Sequence, residues 1–260
     1  MKITVMTSNN VRHINLINML SKYCDKLFVI QECKNINNYK YKSYENSKFT
    51  NYFNKVNLAQ QVIFPNYKMI KDHNKIKIFQ IQYGNINTLK LTELNEFLKS
   101  DLFIVFGASY IKYDLLDFLI ERNAINIHAG ISPYYRGTDC NFWALYDGHP
   151  HLVGTTIHLL TSGLDDGPIL YHAMPEIRLN PFEYTMSSIK SAFLSLCEKI
   201  KDNSIFEFDP KEQNQSKELR FSKKKDFNSE VISNYFKRDL NLKDINFDIS
   251  LLIRPYFPKK

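Results

Sequence analysis

Short apolar runs alternate along this chain with longer stretches in which apolar residues recur every three to four positions. Residues 3–6, 27–30, 76–81 and 102–106 read as β-strands, and 11–23, 89–98 and 114–122 as helices. This alternation predicts an α/β fold with a Rossmann-like, mostly parallel sheet. The run Leu102-Phe103-Ile104-Val105-Phe106 lacks polar alternation, as a strand covered on both faces requires. In such sheets ligands lie beyond the carboxyl ends of the strands, so chemistry is expected after Met6, Phe106 and Ile127. Further on, 138–146 reads as a helix stopped by Gly148, 154–160 and 168–175 as strands, and Pro181 opens a long amphipathic helix to about residue 201. Polar residues then dominate, apart from apolar islands at 231–236 and 249–253. A boundary is placed near residue 205, giving a catalytic domain over 1–205 and a small C-terminal extension over 206–260.

Composition narrows the class. With 8 Gly, 9 Pro and 4 Cys in 260 residues, collagen-like, low-complexity and disulfide-stapled chains are excluded. The net charge of +7 is uneven: 15 Lys/Arg face 6 Asp/Glu in residues 1–100, 6 face 11 in 101–200, and 13 face 10 in 201–260. A basic first part beside an acidic middle predicts that a phosphorylated ligand meets the N-terminal region. Cys24, Cys33, Cys140 and Cys197 have neither metal-finger nor redox spacing and are expected to be free thiols. The opening apolar run is too short for a secretory segment and no stretch approaches the roughly 18 apolar residues of a membrane span. A cytoplasmic protein with no membrane partner is expected.

Two polar clusters carry candidate chemistry. In the first, period-two alternation at a strand end puts Asn126 and His128 on one face, so that a carboxamide and an imidazole can converge on one atom. The following Gly130, Pro133 and Gly137 permit tight backbone turns. The second, Thr161-Ser162-Gly163-Leu164-Asp165-Asp166-Gly167-Pro168, places two acids between glycines after a strand. Either alone suits a buried histidine or a solvated turn. His149-Pro150-His151 reads as a solvated loop, and no metal site is expected.

Together, Asn126-x-His128, Pro133, Arg136-Gly137, Gly154-x-Thr156-x-His158 and Leu164-Asp165-x-Gly167-Pro168 resemble the family that uses 10-formyltetrahydrofolate. The resemblance is clearest over 102–171. It implies Asn126, His128 and Asp165 as the catalytic set. Asn126 and a protonated His128 would donate to the tetrahedral oxyanion, and Asp165 would favour the imidazolium and help relay a proton. It further implies 10-formyltetrahydrofolate as co-substrate, held by Ser109, Tyr110, Ile111 and Lys112 and by Leu160, Thr161, Ser162, Gly163 and Leu164.

Within that family the acceptor is set outside the triad. The place of the phosphate loop of glycinamide ribonucleotide enzymes holds Thr7-Ser8-Asn9-Asn10-Val11-Arg12-His13, without glycine. The extension is too short for the oligonucleotide-binding barrel of methionyl-tRNA enzymes, and the extra leading domain of the hydrolase branch is not expected. Length, Tyr135-Arg136-Gly137, Phe142-Trp143-Ala144-Leu145 and Leu219-Arg220-Phe221-Ser222-Lys223 resemble the nucleotide-sugar N-formyltransferases. The implied substrate is a nucleotide-linked amino sugar, with Asn9, Asn10, Arg12 and His13 toward its diphosphate. Asn9 or Asn10 merely capping the helix is the competing reading. A shortened methionyl-tRNA enzyme and a non-catalytic nucleotide-sugar binder remain as alternatives, nucleic acid is not the expected partner, and a homodimer through 231–236 and 249–257 is expected by analogy.

Overall fold

A computed structural model describes residues 1–34, 47–65, 69–71 and 74–259. Its centre is a seven-stranded sheet of order β3-β2-β1-β4-β5-β7-β8, formed by β1 (Lys2–Ser8), β2 (Lys26–Cys33), β3 (Ile76–Gln82), β4 (Leu102–Phe106), β5 (Ile125–His128), β7 (Thr155–Leu159) and β8 (Ile169–Ala173). The first five pair in parallel, whereas β5–β7 and β7–β8 are antiparallel. The mostly parallel sheet is thus as expected, with an antiparallel edge. Every residue of β4 is buried, Ile104 and Phe106 packing into one core and Phe103 and Val105 into the other.

Helix α1 (Val11–Leu20) and α5 (Pro181–Lys201) cover one face, where Leu16, Ile17, Phe193 and Leu196 pack on Ile3, Val5 and Ile104. The start of α5 follows from local chemistry. Pro181 occupies its first turn and the Asn180 side chain accepts from the backbone N–H of Phe182 at 2.9 Å. On the other face α3 (Tyr113–Glu121) seats Leu115 and Leu119. The predicted helix over 89–98 is instead a set of turns ending in a short 3₁₀ segment, Asn95–Leu98. Most of its bonds run from residue i to i−3, as from Phe97 N to Leu94 O at 2.7 Å, so an apolar spacing of three sufficed to bury Leu94 and Phe97 without an α-helix. The sequence reading also passed over α2 (Ser47–Ile63), whose Tyr52, Val56, Ala59 and Ile63 follow helical spacing among asparagines and glutamines of modest helix propensity.

The C-terminal extension lies over the same body. Strand β6 (Tyr135–Gly137) pairs in parallel with β9 (Arg220–Ser222), Lys211 bridges Ile169, and Tyr256 bridges Ala173 at the edge of β8. Helix α6 (Ser229–Phe236) buries Ile232 and Tyr235, Tyr235 against Phe142 of α4 (Cys140–Tyr146). Much of the apolar island assigned to a dimer surface is therefore spent within the chain, while Phe236, Ile249 and Phe257 are exposed. Among the described residues no helix is long and apolar enough to cross a membrane.

Candidate active site

The expected triad assembles at the carboxyl end of β5. Asn126 and His128 alternate with Ile125 and Ile127, which are committed to the core, so both polar side chains leave by the opposite face. The loop after β7 brings Asp165 to them. Its Oδ1 lies 3.2 Å from His128 Nδ1 and accepts from Asn126 Nδ2 at 3.3 Å, while Oδ2 accepts from the Gly137 N–H at 3.2 Å. The side chains of His128 and Asp165 are 6% and 11% exposed. Asp165 has φ 51°, a left-handed conformation that Asp tolerates better than most residues and that turns its carboxylate inward.

Electrostatics follow from this burial. Desolvation works against the charge of His128, but Asp165 and the neighbouring Cys140 outweigh it and hold the imidazole pKa well above its ordinary value. Desolvation likewise opposes the Asp165 charge, yet His128 and the Gly137 N–H hold its pKa down at about 2. The pair is an imidazolium–carboxylate pair, whose second ring N–H, at Nε2, faces the Tyr135 carbonyl at 3.1 Å. His158, opposite Asn126 in the antiparallel register, behaves otherwise. Burial lowers its pKa to about 4, its Nδ1–H donates to Leu159 O at 2.8 Å, and its Nε2 is left to accept from Asn126 Nδ2 at 3.0 Å. That bond fixes which way the Asn126 amide points. The sequence reading included His158 only within a pattern; its role needed the β5–β7 register.

Surrounding loops are closely held. Thr156 Oγ1 donates to Gly130 O at 2.6 Å and accepts from Ser132 N at 2.9 Å, which shapes the turn after His128. Gly137 sits at φ 92°, and a Cβ there would lie 2.0 Å from Ser222 O, so only glycine lets β9 approach while its N–H serves Asp165.

The two segments expected to hold folate adjoin. Tyr110 donates from its hydroxyl to Ser162 O at 2.6 Å, Asn87 Nδ2 donates to Tyr110 O, and Lys112 N donates to Asn87 Oδ1 at 2.7 Å. Exposed Tyr110 and Leu164 offer apolar surface in these two segments, and Lys112 borders a cavity of about 470 Å³ lined by residues 87–92 and 112–115, apart from the triad. Ile111 is buried and packs, Leu160 donates its N–H to Ala124 O, and Thr161 bonds Asp166. Gly163 lies so close to Asp166 that a side chain there would collide with the carboxylate. Glu32 is a further anchor that sequence reasoning missed. It is fully buried at the end of β2 and accepts from Ser109 Oγ at 2.7 Å and Gly84 N at 2.8 Å. A lone acid in the apolar strand KLFVIQEC was its signal.

The group expected to meet a diphosphate divides. Asn9 ties the ends of β1 and β2, accepting from Lys34 N at 3.1 Å, and Asn10 occupies the N-cap position of α1 without a side-chain cap bond. His13 is 2% exposed, lies tilted against Phe106 with ring centroids 4.6 Å apart and accepts from Ser8 N, so its ring belongs to the interior and burial lowers its pKa well below the ordinary value. The expectation that it faces a ligand is corrected accordingly. Among the described residues Arg12 has one long bond, Nη1 to Gln60 Oε1 at 3.4 Å, and its enclosed Nε has no partner. Lys34 and Asp139, whose burial raises its pKa, lie within electrostatic reach of it, and Lys224 lies within reach of both Lys34 and Asp139.

Residues 89–200 match the family described as Formyl transferase. The chain has the α/β fold of the formyl transferases. It is 33% identical over 99 residues to the methionyl-tRNA formyltransferase of Thermosynechococcus vestitus, covering 38% of this chain and 30% of that protein. The chain thus matches under a third of that relative's length. Among solved structures, a 4-N formyltransferase from Francisella tularensis superposes with TM-score 0.53 at 18% identity, over 86% of this chain and 77% of that one. The formyltransferase PseJ from Anoxybacillus kamchatkensis, solved with UDP-4,6-dideoxy-4-formamido-L-AltNAc and tetrahydrofolate, gives 0.50 at 18% identity over 87% of each chain. At such identities the likeness is one of fold, and sugar N-formyltransferases are among the folds similar to this one. Among the described residues no group of His, Cys, Asp and Glu suited to a metal ion occurs.

Proposed function

We propose that this chain transfers a formyl group from 10-formyltetrahydrofolate to the amine of a nucleotide-linked amino-dideoxyhexose, such as dTDP- or GDP-4-amino-4,6-dideoxyhexose, for O-antigen or other surface-glycan synthesis. The observation that carries the proposal is the buried His128–Asp165 pair with Asn126 bonded to its carboxylate. A neutral amine attacks the formyl carbon, forming the new C–N bond and an oxyanion. The His128 Nε2–H, here turned to the Tyr135 carbonyl, and an Asn126 N–H, here bonded to His158 or Asp165, are the donors that would turn to that oxygen. Collapse breaks the bond to the folate nitrogen as the His128 imidazolium gives that nitrogen its proton, and the neutral imidazole so formed takes the proton lost by the amine, so the pair ends as it began. A buried carboxylate held ionised beside an imidazolium is suited to such a relay because it need not itself become protonated.

Charge favours an anionic acceptor. Half-buried Arg12 and Lys34 and exposed Lys224 form a chain of interacting cations that Asp139 and Glu32 only partly offset, which suits an anion such as a diphosphate. Asn9 and Asn10 stay in this proposal as the backbone frame of that site. Methionyl-tRNA is a second reading, favoured by the name of the sequence relative above. The test incubates the protein with 10-formyltetrahydrofolate and either candidate amino-sugar nucleotides or initiator methionyl-tRNA, and detects formylated product by mass spectrometry. Formylated sugar upholds the proposal, and formylated tRNA alone overturns it. Light scattering tests the expected homodimer, for which a monomer is the refuting result.

A further inference from the structure

The catalytic loop is held from outside by the C-terminal extension. Gln213 Nε2 donates to Asp165 O at 2.9 Å and to Gly167 O at 2.8 Å, spanning the turn that carries the acid. Arg136 donates from Nη2 to the preceding carbonyl, Leu164 O, at 2.8 Å, and is itself oriented by Glu218 Oε2 at 3.1 Å from Nη1. Three carbonyls of a turn whose central residue is left-handed are thereby engaged, two of them by one amide. Both of that amide's acceptors are carbonyls, so its orientation is unambiguous: nitrogen toward the loop. Its Oε1 is consequently enclosed with no partner among the described residues, a cost that a clamp of this geometry imposes.

We infer that Gln213 is a positioning residue for Asp165: by fixing the turn's carbonyls it holds the carboxylate against His128. The inference rests on the formyl-transfer role of Asp165, and its test separates the two. Gln213→Leu keeps the volume and removes both donors, and Gln213→Glu keeps the shape and sets a carboxylate against two carbonyls. The full chain carrying each variant is assayed for kcat, for both KM values and for the pH profile, and His128 is titrated by NMR. In both variants kcat falls about tenfold or more, as small misplacement of a reacting group implies. KM stays within about threefold, and the His128 titration moves to lower pH by at least about half a unit as its partner loosens. A His128 titration unmoved in both variants overturns the inference, whatever the activity. A kcat loss with that titration unmoved counts against it too, because damage to the fold alone would produce it. Wild-type protein that forms no formylated product defeats the underlying reading and leaves the NMR result to decide the clamp.

Discussion

Asp165→Asn isolates the charge of the proposed acid. Asparagine is nearly isosteric and is also at ease at φ 51°, so neither cavity nor backbone strain enters. What is lost is the ion pair with His128. In the folded chain the Asp165 pKa is lowered from 3.8 to about 2, a difference that corresponds to about 2 kcal/mol of stability. Because the folded pKa is depressed, that stability is present above pH 3.8 and fades as pH falls through about 2. His128 contributes the complementary dependence: its raised pKa adds stability that is complete below its unfolded value and is lost as pH climbs through the folded one. At neutral pH the variant should melt about 4–8 °C lower, given some 2–4 °C per kcal/mol for a chain of this size. At pH 2 the gap should close. Formyl transfer should fall by about 100-fold or more, since His128 loses the partner that keeps it charged. Paired thermal melts at pH 7 and pH 2, with product measured by mass spectrometry, test this. An equal melting deficit at both pH values would show that shape rather than charge is responsible and would refute the argument.

Two further outcomes follow from buried groups elsewhere. His158 and His172 are both held near pKa 4 by burial, and His172 Nδ1 accepts from Ile253 N at 3.0 Å, so the unfolded chain binds more protons between pH 6.5 and 4. Stability should drop across that window, by about 3 kcal/mol for each histidine, and the drop should be smaller in His172→Gln; a flat denaturant-midpoint profile from pH 6.5 to 4 contradicts this. Gly137→Ala meets both a positive φ and the Ser222 carbonyl and should cost about 2 kcal/mol or more, together with activity, because the Gly137 N–H serves Asp165. Urea melts that coincide with those of the unchanged chain would count against it.

Strand positions, the face shared by Asn126 and His128, and the long helix opened by Pro181 were all legible in the sequence. Each is local: period two, period 3.6 and capping chemistry act within a few residues. The candidate trio was legible only through the combined pattern, since Asp165 reaches His128 across the β5–β7 crossing rather than along the chain. Tertiary structure alone decided the rest. It withdrew His13 into the core beneath Gly107, made a neutral His158 the orienter of Asn126, and set Glu32 under Ser109. It also folded the polar extension back, so that Gln213 grips the turn that carries Asp165 and β9 pairs with β6. Hydrogen bonds and ion pairs between segments 30 to 80 residues apart depend on strand order and register, which no local periodicity encodes.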